Sequence, residues 1–168
     1  MKKVLLVFAL MFIINVGCKK IIDTNPVCAC SPIQASFLSL VIKDSSGADL
    51  LNPATPGYLN KEKGQIQLYA KDANNAIKQI TFGIRQPFSY GSDKFIYYQL
   101  TSDEISALAK SIDQVFYLKL GDDKLLELNL EVKNIKVEKL LVNKVAAPFE
   151  HPTPSNFTYV NEIFSLKL

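Results

Sequence analysis

Residues 116–133 leave the backbone almost no choice. Phe116, Leu118 and Leu120 alternate with Tyr117 and Lys119. After Gly121-Asp122-Asp123-Lys124, Leu126, Leu128, Leu130 and Val132 alternate with Glu127, Asn129, Glu131 and Lys133. Strand side chains point to opposite faces with a period of two, so this segment predicts a β-hairpin with one apolar and one wet face. A helix would scatter the same leucines around its circumference. Such a ribbon needs a second apolar layer to cover it, and the chain therefore has to fold as a sheet packed against another element.

The rest of the chain supplies that layer in short pieces. Phe37 to Lys43 is a compact run of Leu, Val and Ile, which predicts a strand buried on both faces or at the centre of a sheet. Asp44-Ser45-Ser46-Gly47 ends it, because Asp and Ser side chains bond their own backbone and Gly supplies positive φ. Asp44 and Asp49 bracket this turn and invite a calcium reading, but alternating oxygen ligands and a closing Glu are missing, and a plain turn is the better account. Leu50 to Tyr58, punctuated by Pro53 and Pro56, is expected to be an extended crossing through which no helix can run. Gly64 to Lys71 sets Ile66, Leu68 and Ala70 against Gln65, Gln67 and Tyr69, a half-buried strand. A hairpin connection at Asp72–Asn75 then leads to a strand from Ile77 through Ile84, with Ile80, Phe82 and Ile84 on one face. A further turn at Tyr90-Gly91-Ser92-Asp93 precedes Phe95 to Leu100, apolar or aromatic on both faces.

Thr101 followed by Glu104 matches a capping box, and Ile105, Leu108 and Ile112 come after it at helical spacing. Two to three turns of helix are expected there, covering an open end of the sheet. Asp103 and Glu104 could be taken for an acid/base pair, but the helix dipole explains two carboxylates in a first turn more simply. At Lys133-Asn134 the alternation slips by one residue, since Ile135 and Val137 take over the apolar side, so a bulge or a turn must sit there. Leu140 to Val145 and Phe157 to Leu168 complete the strands, separated by Pro148, Pro152 and Pro154. Short strands with turns at roughly 8–12-residue intervals, one short helix and no βαβ alternation predict an all-β fold, an antiparallel β-sandwich Ig-like in size, over residues 34–168.

The amino terminus is built on another rule. Lys2 and Lys3 precede the apolar run Val4 to Val16, which is too short to span a bilayer comfortably and is proportioned like a secretory leader. The junction Ile14-Asn15-Val16-Gly17-Cys18 resembles the lipobox of bacterial lipoproteins, in which a small residue precedes the cysteine that is lipidated. The resemblance implies that residues 1–17 are a signal peptide and that Cys18 carries the lipid and becomes the mature terminus. Residues 18–33, with Pro26, Pro32 and a polar cluster around Asp23, are expected to be a tether. Leader, tether and one β-domain together resemble small lipoproteins of the Gram-negative envelope. In that group an aspartate directly after the lipidated cysteine signals inner-membrane retention; Lys19 stands there instead and favours the outer membrane.

Function is harder to read. The chain has 19 basic and 16 acidic residues, and removal of Lys2 and Lys3 leaves 17 against 16. That balance, with no concentrated Lys/Arg face, argues against nucleic acid as a partner. No metal site is expected, because His151 is the one histidine and Cys18 is assigned to lipid, leaving only Cys28 and Cys30 as a Cys-Ala-Cys pair. No cofactor motif is present. His151 lies in a Pro-rich loop beside Glu150 with no orienting partner evident, and Asn156-Phe157-Thr158 is a glycosylation triplet too common to carry weight. Among Phe88, Tyr90, Phe95, Tyr97 and Tyr98, core packing is the simpler role. If any of them forms a ligand platform, Tyr90 and Tyr98 are the residues expected to be exposed. The expected function is a lipid-anchored, non-enzymatic β-domain that binds or scaffolds a ligand at the cell envelope, with an envelope protein or a glycan as the candidate partner. A glycan-binding accessory role is the alternative, and an envelope hydrolase comes last because no catalytic constellation can be nominated.

Overall fold

A computed structural model describes residues 36–134, 136–152 and 162–168. The leader, Cys18, the tether with Cys28 and Cys30, and the Asn156–Thr158 triplet lie outside the described residues. Gln34–Leu168 is one compact unit. Its strands, in chain order, are β1 (Leu38–Lys43), β2 (Ile66–Lys71), β3 (Ile77–Gln79), β4 (Gly83–Arg85), β5 (Phe88–Tyr90), β6 (Asp93–Phe95) and β7 (Gln99–Ser102). After helix α1 (Asp103–Leu108) come β8 (Phe116–Leu120), β9 (Lys124–Lys133), β10 (Lys136–Val142), β11 (Val145–Ala146) and β12 (Phe164–Lys167).

The alternating ribbon is the hairpin β8–β9, turned at Gly121 with φ +62° and registered Phe116 opposite Leu128 and Leu118 opposite Leu126. It lies at the middle of a six-stranded antiparallel sheet ordered β11-β10-β9-β8-β2-β3. A four-stranded sheet, β12-β1-β7-β4, forms the second layer, and the hairpin β5–β6 forms a separate two-stranded sheet. All pairings are antiparallel except β1 with β12, which run parallel. Leu38, Leu40 and Ile42 of β1, with Leu100, Phe164 and Leu166, face Leu68, Phe116, Leu118, Leu128, Leu130 and Leu140 from the larger sheet in one main core. The all-β, sandwich-like fold with one short helix is the one that the alternation predicts. Among the described residues no helix is long and apolar enough to cross a membrane.

Two segments change sheets, one at each flank. The predicted single strand from Ile77 to Ile84 is in fact β3 in the large sheet and β4 in the small one. Ile80, buried at the bend, donates its N–H to Leu68 O at 2.8 Å. On the other flank Ala147 N bonds Leu140 O of β10, while Pro148 O accepts from Ser165 N and Glu150 N donates to Ile163 O beside β12. Such crossings satisfy backbone groups on both sheets where an open flank would leave them unpaired.

Other predicted elements are moved or shortened. Leu50–Tyr58 is a series of turns rather than an extended crossing, with Asn52 N bonding Asp49 O, Thr55 N bonding Asn52 O and Tyr58 N bonding Thr55 O. Leu50 and Leu51 are buried there. Phe95–Leu100 is broken between β6 and β7. The helix cap is Ser102, whose Oγ accepts from Ile105 N at 3.2 Å, in place of Thr101, and α1 stops at Leu108 before Ile112. Glu104 is diverted from the capping box because its carboxylate accepts Thr81 N at 2.7 Å. At the phase slip both remedies occur: a turn at Asn134, φ +47°, and a register shift between Val137 and Lys139.

Phe116, fully buried among both layers, sets the scale of the core. Phe116→Ala is expected to cost about 3–5 kcal/mol, read as a lower urea midpoint. Asp44 closes its turn by accepting Ser46 N, Ser46 Oγ and Ala48 N, and these bonds, the Ser46 hydroxyl foremost, hold its carboxyl below the ordinary value of 3.8. A lowered folded pKa contributes stability above the unfolded value that disappears as pH falls through the folded one. Asp44→Asn should therefore flatten the fall in stability below about pH 4, as followed by urea titrations at stepped pH.

Candidate functional site

Because β1 alternates, Ser39, Val41 and Lys43 face away from the main core, and yet Ser39 and Val41 are fully buried. A second layer of side chains covers them, supplied by the aromatic stretch that stands out in the sequence. At the centre, Val41, Phe95 and Ile163 form a small second core with Phe88 and Tyr97 packed against it. Phe88 and Phe95, paired across β5–β6, stack with centroids 4.6 Å apart and planes 14° apart.

Polar groups flank this apolar centre along β1. At the Ser39 end, Ser39 Oγ donates to Gln99 Oε1 at 2.7 Å, and Arg85 Nη2 donates to both oxygens. The Arg85 guanidinium lies over the rings of Phe37 and Phe88, 5.2 and 4.4 Å from their centroids, a geometry in which a cation is attracted by the ring quadrupole. At the Lys43 end, Lys43 Nζ sits 2.8 Å from Glu150 Oε2 and 3.7 Å from the Tyr97 ring centroid. A hollow of about 100 Å³ adjoins it, lined by Phe95, Ile96, Tyr97, Gln99, Glu150 and His151. Its size suits a water or a very small group and little else.

Two apolar side chains project from this layer to solvent, Ile96, 61% exposed, and Tyr90, 49%, whereas Phe149, 42% exposed, is bridged to Phe164 with ring centroids 5.2 Å apart at the edge of the main core. Tyr90 stands at the end of β5, at the tip of the β5–β6 hairpin. Tyr98 is placed otherwise than expected: it is half-buried against the main core, and its N–H donates to Asp49 Oδ2 at 2.8 Å. Tyr90 and Tyr98 do not make a pair of projecting rings. His151 is exposed, 6.5 Å from Phe149 between ring centroids.

Asp49, Glu104 and Glu150 are engaged in holding the fold. Asp49 accepts Leu51 N and Tyr98 N, joining the 49–60 loop to the segment before β7. Glu104 accepts Thr81 N, which lowers its pKa, and Glu150 is paired with Lys43. Among the described residues no three His, Cys, Asp or Glu gather where they could hold a metal ion. Sequence reasoning missed the Ser39–Gln99–Arg85 cluster and the Lys43–Glu150 pair. The available signal was the polar residue at each end of the outward series Ser39, Val41, Lys43.

No family model, curated protein or solved structure matches the chain. Its site is therefore described by its own geometry alone.

Lys43 and Glu150 are mostly shielded from water, so removing one partner leaves the other poorly solvated. Glu150→Ala should destabilise the domain by about 1–3 kcal/mol, and the double change Lys43→Met with Glu150→Leu by less than the sum of the two single changes. A double-mutant cycle in urea with no coupling between the positions would contradict this.

Proposed function

We propose that the protein is a lipid-anchored component of a bacterial cell envelope, held at the outer membrane through Cys18, whose β-domain binds or scaffolds a partner without catalysing a reaction. The carrying observation is the ordered series of Lys2-Lys3, the apolar run Val4–Val16 and Gly17-Cys18. A binding role is supported by the exposed side chains of Tyr90 and Ile96 on a layer whose interior is already packed, since large exposed side chains on a rigid support are what interfaces use. The absence of catalysis is supported by the engagement of Asp49, Glu104 and Glu150 in fold-stabilising bonds. A protein partner is favoured over a glycan, because a sugar platform built on two tyrosines is left with Tyr90 alone as an exposed ring.

Lipidation is tested by growing cells that express the full chain with an alkyne fatty acid and comparing it with Cys18→Ala. The parent should take up label on a peptide beginning at Cys18 and sediment with membranes, and the variant should lose the label. A parent chain whose mature terminus is another residue, or whose Cys18 thiol is unmodified, would remove the basis of the proposal.

A further inference from the structure

We draw no further inference here: the strongest candidate, the cleft of about 540 Å³ between Leu126, Val142, Ala147 and Leu168 at the end of the sandwich where β9 begins and β12 finishes, carries nothing because nothing in the structure shows what covers it.

Discussion

β1 is buried on both faces, and most of the architecture follows from covering it. Leu38, Leu40 and Ile42 are taken by the six-stranded sheet, which is the ordinary sandwich solution. Ser39, Val41 and Lys43 face the other way and need a cover of their own. The hairpin β5–β6, the break at residues 96–98 and the segment around Glu150 provide it. A two-layer sandwich would leave Val41 in water; here a partial third layer takes it in. The cover itself is short, and its outermost side chains, Tyr90 and Ile96, remain about half exposed or more.

The flanks are managed by a different device. A strand edge presents unpaired N–H and C=O groups and invites pairing with another chain. The bends near Ile80 and Ala147 carry the chain from one sheet to the other and bond to both. The outermost strands of the large sheet, β3 and β11, have three and two residues, too short to template much pairing. Val145 of β11 is nevertheless 71% exposed, beside the cleft at the open end. Closure is thus good at the sides and incomplete at that end.

What could be read in advance tracks what periodicity encodes. Alternation tells which way a side chain faces, and residues 116–133 were legible for that reason. It does not tell which sheet a residue joins: Ile80, Phe82 and Ile84 stay in phase across a change of sheet, so one strand was expected where two exist. The helix cap was misplaced by one because Thr101 and Ser102 are adjacent hydroxyls, and Glu104, which would have identified the box, is drawn to Thr81 N by a contact 23 positions back. The site was less legible still. Lys43 and Glu150 are 107 positions apart and Ser39 and Gln99 are 60 apart, and no local pattern links such pairs. Alternation sets Tyr98 opposite Phe95 and Tyr97 but does not tell which side is covered; the side that Tyr98 shares with Leu100 is the main core.

The polar groups under the aromatic layer bear on what that layer can do. Stacked rings and aliphatic side chains alone would bind their support without fixing a single arrangement, whereas Arg85 must satisfy Ser39 and Gln99 while lying between Phe37 and Phe88. Lys43 is similarly fixed between a carboxylate and a ring at the opposite end. Hydrogen bonds depend more sharply on geometry than apolar contacts do, so the two clusters fix Arg85 and Gln99 at one end of β1 and Glu150 at the other, on the segments that flank the hairpin. A hairpin fixed in this way presents Tyr90 from a rigid base. A rigid aromatic loses little conformational freedom when a partner docks, which is the property that the proposed binding role calls on.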